Sequence, residues 1–479
     1  MFKTFTTIGR YSLGSAIVSL LLVFAACGGA GYEPLEEYVT AIETPEETQP
    51  YITEEAENPG QAAEQTEFTE PEGSPPAHYF DALSSGRLRI EYLEDFDYLY
   101  NTLVANFPFF GVIYRSQGVD LHQLYYAARR NIETIPDISN DHQFAAILDS
   151  SFIGPAHSAG HFNMLANDFL RLHIGVFANQ VATGSDQFLY FLYELDNPAT
   201  RALHRLEDED YLPPPPGEAS VVFATSSNNI EASIIQPGHI AYINILQMNW
   251  ATAHLDREKL LNFYQYIADF DHLIIDIRQN GGGDSRFFPQ LVVAPNIRES
   301  LEYYFYMFLM DGEHNHRLLA PWFENWWDGT TPYPVFMPVH DDLLARLIYL
   351  DADDALLLDS YWIQREAIHP SHDEAIFGGK IWLLVSNNNF SASENAAAIS
   401  RQTGFATLVG QTTGGDGIGI NPLVLALPNT GVVVRYSPVY GTDPLGRNNQ
   451  EFGTDPHVFN RPGLDALQTV LELIAEGDY

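Results

Sequence analysis

Cysteine is almost absent from this chain: Cys27 is the only one in 479 residues, so no intrachain disulfide can form and packing must hold the fold. Basic residues are also scarce. Twenty-three Lys and Arg face 63 Asp and Glu, for a formal net charge of −40. Phosphate binding needs clustered Lys and Arg, so nucleic acid is excluded as a partner. The same imbalance removes attraction to anionic lipid headgroups. No apolar run reaches the ~20 residues that a spanning helix requires. Neither a GxxxxGK[ST] loop nor a proper GxGxxG is present, so a phosphate-cradling loop is not expected. What remains is an ordinary apolar content, enough for a substantial core, in a chain long enough for two or three domains.

The lone cysteine has a context. Lys3 and Arg10 precede a short apolar core, Ser15 to Phe24, and Ala25-Ala26-Cys27-Gly28 follows. This is the layout of a secretory signal. Small residues directly before the cysteine resemble a bacterial lipobox, with Phe24 standing where leucine is usual. The resemblance implies that Cys27 is lipidated and begins the mature protein, which would then sit anchored on the extracytoplasmic face of the membrane.

Residues 28–76 lack Lys and Arg, carry few large apolar side chains, and hold thirteen glutamates, among them Glu36, Glu37, Glu54 and Glu55. Such a segment buries too little surface to offset its ordering entropy and repels itself. It reads as an extended acidic tether. A helical domain is expected over residues 77–165. Phe96, Leu99, Leu103 and Phe107 recur at helical spacing, as do Phe144, Leu148 and Phe152 after a cap at Ser139 or Asn140. Residues 166–237 form a mixed connecting region with no clear PDZ domain. In it Phe188 to Tyr193 reads as a strand, Pro213 to Pro216 as a stiff linker and Val221 to Phe223 as a short strand.

Residues 238–479 form the expected core. Strands are predicted at Ile240–Ile245, His272–Ile277, Ile381–Val385, Ala406–Gly410 and Val432–Tyr436, with helices over Arg257–Phe270 and Ser391–Gln402. This alternation implies an α/β fold with crossover connections. The aromatic stretches Tyr303 to Tyr306 and Trp322 to Trp327 suit either a core or a cleft wall.

Three motifs in that core carry chemistry. They are Asp276-Ile277-Arg278-Gln279-Asn280-Gly281-Gly282-Gly283-Asp284, Asn389-Phe390-Ser391-Ala392-Ser393-Glu394, and Val409-Gly410-Gln411-Thr412-Thr413-Gly414-Gly415. The second is a polar loop leading into an Ala-rich helix. A serine there stands at a helix N-terminus, where backbone N–H groups favour developing negative charge. Acyl transfer needs such a nucleophile beside an oxyanion hole. The competing reading makes Ser391 and Ser393 simple N-caps. The glycine run is either a strand-end turn or a place where backbone N–H groups closely approach a reacting carbonyl.

In this order and spacing the three motifs resemble the S41 peptidases, the family of C-terminal processing proteases and tricorn, over roughly residues 238–460. The resemblance implies a ClpP/crotonase-like α/β core, a peptide or protein substrate and no cofactor. It also implies a nucleophile at Ser391 and an oxyanion hole from Ala392 and either Gly281 or Gly282. One branch of the family uses a lysine base in a TxGKG stretch; here Asp416 stands in its place, in Thr413-Gly414-Gly415-Asp416-Gly417, which removes a Ser-Lys dyad. The tricorn-like branch uses a histidine from before the core and a glutamate after it. His161 is the preferred base and His157 the second candidate, both in Ala156-His157-Ser158-Ala159-Gly160-His161. Their spacing of four would also suit a zinc pair, but no third ligand is evident and no metal is expected. Glu451, in Gln450-Glu451-Phe452-Gly453, is the expected third member. The competing function is a catalytically inactive scaffold of the same fold that binds peptide or lipid. Oligomeric state is left open by the sequence.

Overall fold

A computed structural model describes residues 86–182, 189–207, 227–325 and 336–477, with side chains at 179–180 and 321–325 excepted. The chain divides into residues 1–75 and residues 76–479, and everything described lies in the second unit. The signal-like segment with Cys27, the acidic tether, Pro213 to Pro216, Val221 to Phe223 and Trp326-Trp327 lie outside the described residues.

Helices come first: α1 (Arg89–Asn106), α2 (Phe110–Gln117), α3 (Leu121–Thr134) and α4 (Asp141–Leu148). The predicted apolar stripe is the buried one, with Phe96, Leu99 and Leu103 of α1 and Phe107 just beyond it all inaccessible to solvent. Asn140 caps α4, accepting from the Gln143 N–H at 2.9 Å. Tight turns then lead through His161 into β1 (Asn163–Met164), followed by α5 (Asn167–Ala182), α6 (Leu189–Leu195) and α7 (Pro198–His204).

The expected strand at Phe188 to Tyr193 is a correction: from Leu189 onward the segment is helix α6. Phe191, Leu192 and Leu195 face inward while Tyr190 and Tyr193 are exposed. A helical stripe was hidden in a run whose aromatic content favours strand.

The remaining elements are β2 (Ile230–Gln236), β3 (Ile240–Ile245), α8 (Ala253–Tyr266), β4 (His272–Asp276), β5 (Leu301–Leu309), α9 (Glu313–Asn325), β6 (Met337–Pro338), α10 (Asp341–Leu344), α11 (Ala352–Ala355), β7 (Ser360–Ile368) and β8 (Lys380–Val385). They continue through α12 (Ala392–Thr403), β9 (Thr407–Gly410), β10 (Leu423–Ala426), β11 (Val433–Tyr436), β12 (Val439–Thr442), α13 (Asn449–Phe452), β13 (Val458–Phe459) and α14 (Ala466–Glu476). Helix α8 begins four residues earlier than the predicted Arg257.

Three sheets result. The largest has the order β13-β9-β8-β4-β3-β2, parallel throughout except for the antiparallel edge strand β2. Its central strands read as continuous apolar runs because both faces are covered. Ile274, Trp382, Leu384 and Val409 point to one face and meet Val470 and Leu473 of α14. Leu273, Ile275, Leu383 and Leu408 point to the other and join a core that extends to α1. The four-stranded sheet β12-β5-β7-β6 places Tyr303, Phe305 and Tyr306 in the core, settling that aromatic stretch as packing. The third sheet, β1-β11-β10, pairs Asn163 with Arg435 and so lays the segment after His161 against the core.

Strands β4, β8 and β9 end side by side, and the three motifs are the loops at those carboxyl ends. This is the usual place for a site in a parallel sheet. Glu394, in the first turn of α12, stitches two of the later loops together. Its Oε1 accepts from Asn449 Nδ2 at 2.7 Å and from Thr454 Oγ1 at 2.5 Å. The carboxyl is fully buried, and desolvation pushes its pKa up. A carboxyl raised in the folded state holds its proton there longer than in the unfolded chain. Its stabilising contribution is therefore complete below the ordinary carboxyl range and is lost as pH rises through the folded value. The melting temperature of wild type is expected to fall between pH 5 and pH 8 by more than that of Glu394→Gln, measured by circular dichroism. Glu394→Ala, which strands the Asn449 and Thr454 donors, is expected to cost about 1–3 kcal/mol.

Candidate active site

The turn before α12 is built by asparagine and serine side chains. Asn389 Oδ1 accepts from the Ser386 N–H at 2.7 Å, and its Nδ2 donates to the Ile277 carbonyl. Asn280 Nδ2 donates to the Ile245 carbonyl at 3.0 Å. Ser393 Oγ accepts from the Phe390 N–H at 3.0 Å and donates to the Asn280 carbonyl at 2.5 Å. Ser393 thus pins the glycine loop to the serine turn.

Ser391 itself is not a cap. Its backbone lies at φ 57°, ψ −125°, and its hydroxyl accepts no bond from the helix. A non-glycine residue held there is strained, as nucleophile turns often are. The Ser391 N–H donates to the Gly415 carbonyl at 3.1 Å, which fixes the turn against the third motif. The Ala392 N–H is a first-turn donor with no partner inside the helix.

The glycine loop comes as close as the expectation required. A Cβ on Gly282 would lie 2.6 Å from the Phe390 carbonyl oxygen, 2.9 Å from Ser391 Cβ and 3.0 Å from the Ala392 nitrogen, and its φ is +112°. Glycine is demanded on both counts. The Gly282 N–H, however, donates to Asn280 Oδ1 at 2.9 Å. Of the two expected glycines, Gly281 is the one whose N–H is taken by no other described residue.

His161 is buried and His157 exposed. His161 Nδ1 bonds the Asp416 carboxylate at Oδ2 and lies 3.2 Å from Ser437 Oγ. Ser437 donates to the same carboxylate oxygen at 3.1 Å. An acceptor carboxylate at Nδ1 selects the tautomer with the proton on Nδ1, which leaves Nε2 as the basic atom. The imidazole packs on Phe390, with ring centroids 4.7 Å apart, one residue from Ser391. Among the described residues neither histidine is hydrogen-bonded to the Ser391 hydroxyl; such contacts commonly tighten when substrate enters. His161, Ser391 and Asp416 all have positive φ, at 50°, 57° and 52°.

The structure brings Ser391, Ala392, Gly282 and His161 together, with Gly281 the chain neighbour of Gly282, and leaves His157 exposed outside. Glu451 is elsewhere engaged. Arg115 of α2 grips it, with Nη2 2.7 Å from Oε2 and Nε 2.9 Å from Oε1, and also holds Asp354. The carboxylate at His161 is Asp416, the residue standing where a lysine base was sought. Its signal in the sequence was the exchange itself, a carboxylate flanked by glycines at the base position. Gly417 has to be glycine, since a Cβ there would lie 2.4 Å from the Asn395 nitrogen. Ser437 carried no signal. Among the described residues no cluster of three or more metal-ligating side chains occurs.

Comparisons place this site in a family. The model of peptidase family S41 matches residues 239–459. No curated protein sequence matches the chain. Among solved structures it is similar to a protein of Parabacteroides merdae assigned as a peptidase, at 17% identity and TM-score 0.47, covering 80% of this chain and 96% of that one. It is also similar to mature CPAF complexed with lactacystin, at 13% identity and TM-score 0.47, covering 81% and 97%. A lipoprotein of Streptococcus agalactiae is similar at 11% identity and TM-score 0.41, covering 83% and 98%. The strand-end glycine loop, the serine turn and the Gly415 loop all fall within the segment that matches peptidase family S41.

Proposed function

We propose that the chain is a serine peptidase of the histidine-base type, cleaving peptide bonds through an acyl-enzyme on Ser391. One observation carries this reading: His161 Nδ1 is committed to Asp416 while its ring lies against Phe390 beside the serine turn. Ser391 Oγ attacks the scissile carbonyl as His161 Nε2 takes its proton. Asp416 and Ser437 hold the imidazole in the required tautomer and stabilise the imidazolium, the part played by the third member of a triad. The Ala392 and Gly281 N–H groups receive the oxyanion, aided by the dipole of α12. His161 then returns the proton to the leaving amine, and water releases the acyl group by the same route. Glu451 in this scheme is a positioning residue that joins α2 to the loop of α13.

Ser391→Ala is expected to abolish both hydrolysis of an unfolded casein substrate and labelling by a fluorophosphonate. His161→Ala would do the same to hydrolysis, while His157→Ala would leave it near wild type. Labelling that persists in Ser391→Ala, or wild-type protein that never labels while binding peptide, would overturn the reading and favour the inactive binding scaffold. Asp416→Asn is expected to lower kcat by about 10³–10⁴-fold through the wrong histidine tautomer. Glu451→Gln would change it by less than about tenfold, the scale of one lost hydrogen bond. The reverse order would return the third role to Glu451.

The peptidase is further proposed to act outside the cytoplasm from a lipid anchor on Cys27, on the strength of the Ala-Ala-Cys-Gly sequence after an apolar core. Metabolic incorporation of an alkynyl palmitate analogue is expected in the wild-type chain and absent in Cys27→Ser. Equal incorporation in both would refute the anchor.

A further inference from the structure

In a chain with 63 acidic residues, arginines find carboxylates easily. Arg115, Arg129, Arg278, Arg286 and Arg461 each do, and each is pushed further toward its charged form by that partner. Arg435 goes the other way. It sits on β11 in the sheet that carries the His161 segment, paired in register with Asn163 on one side and Val424 on the other. Its guanidinium lies over the Phe169 ring, 5.0 Å from the centroid. Nε is buried with no hydrogen-bond partner, and no described carboxylate is ion-paired with it. Burial draws its pKa down to about 10, offset only in part by the through-space field of Asp416. Asp416 does not pair with it; the carboxylate oxygen Oδ2 is spent on His161 and Ser437.

Arginine cannot shed its proton at neutral pH, so a half-buried guanidinium whose Nε is sealed from water without a partner is held at a cost to the fold. The position makes the cost intelligible. Ser437, two residues on, faces His161 and Asp416. Ser437 stands just past the end of β11, so Arg435 and Ser437 are close neighbours along the chain. The Ser437 N–H also donates to the Gly160 carbonyl at 2.6 Å, which keeps the two segments aligned up to the histidine. Arg435 therefore presents, within the field of Asp416, a planar cation that no described carboxylate pairs with, and a cation of that shape best matches a carboxylate.

We propose that Arg435 receives a carboxylate of the bound peptide, either its C-terminal group or an Asp or Glu side chain, and so selects the bond offered to Ser391. The inference rests on the peptidase reading for its consequence but is tested through binding alone. The full chain carrying Ser391→Ala is titrated with three fluorescein-labelled hexapeptides of Ala and Leu. One ends in a free carboxylate, one in an amide, and one in an amide with a single internal Glu. Fluorescence anisotropy is expected to show the free acid, the Glu peptide or both binding at least tenfold more tightly than the neutral amide. Which of the two gains identifies the source of the carboxylate. Arg435→Met, added to Ser391→Ala, is expected to equalise the peptides while leaving the neutral amide unchanged. Arg435→Lys, which keeps the charge without the fork, would fall between and serves alone if the Met variant does not fold by circular dichroism. Equal binding of all three peptides to the Arg435 protein, no binding of any, or a preference that survives both substitutions would overturn the proposal. Fluorophosphonate labelling of the Ser391 protein is read separately. Labelling without acid preference refutes only the role of Arg435. Acid preference without labelling supports carboxylate capture and refutes the nucleophile.

Discussion

The buried contact between the His161 imidazole and the Asp416 carboxylate is the constraint around which the site is arranged. It joins residues 255 positions apart, one from the turns after the helical layer and one from the loop after β9. Neither side chain is stable there alone. A carboxylate removed from water needs donors, and His161 and Ser437 supply them. The imidazole in turn has its tautomer fixed by the carboxylate. The pairing of β1 with β11 and the Ser437 to Gly160 bond hold the two segments at the right separation. The helical layer is thereby part of the site, since the turns after it deliver His161.

Around that contact the loops are fixed by amides and hydroxyls more than by charge. Asn280, Asn389 and Ser393 tie the glycine loop to the serine turn, and Glu394 with Asn449 and Thr454 ties the serine helix to the loops that follow. Asn449 Oδ1 also accepts from the Gly417 N–H at 2.6 Å, immediately after Asp416. Such a buried network holds geometry through its satisfied members, while Glu394 Oε2 stays buried without a hydrogen-bond partner. At the rim the work passes to Arg115, which joins α2 to Asp354 and Glu451. Removing the acidic partner of such a cation would disturb the approach to the site before it disturbed the chemistry.

Much of this was legible in the sequence, for a local reason. The parallel strands announce themselves as apolar runs ending in glycine or polar loops, and Ser391 announces itself at the head of an alanine-rich helix. Gly282 of the first loop is legible because only glycine tolerates its φ and the approach of the serine turn. The identity of the third member was not legible. Asp416 and Glu451 are both carboxylates near glycines, and which one meets His161 depends on contacts 255 and 336 residues apart. Segment 188–193 failed for a different reason. Six consecutive apolar residues carry no period, and only burial against neighbouring elements decides between strand and helix.

The backbone at His161, Ser391 and Asp416 lies in the left-handed region at all three positions. Each position would be more comfortable as glycine, and in the proposed mechanism none can be glycine. On that proposal, stability and turnover are opposed at the same three residues. A descendant relieved of the reaction would lose nothing by relaxing there. Glycine or asparagine at these three sites, with the asparagine and serine lattice around them intact, would be the fossil mark of a lineage that kept the fold and gave up the chemistry.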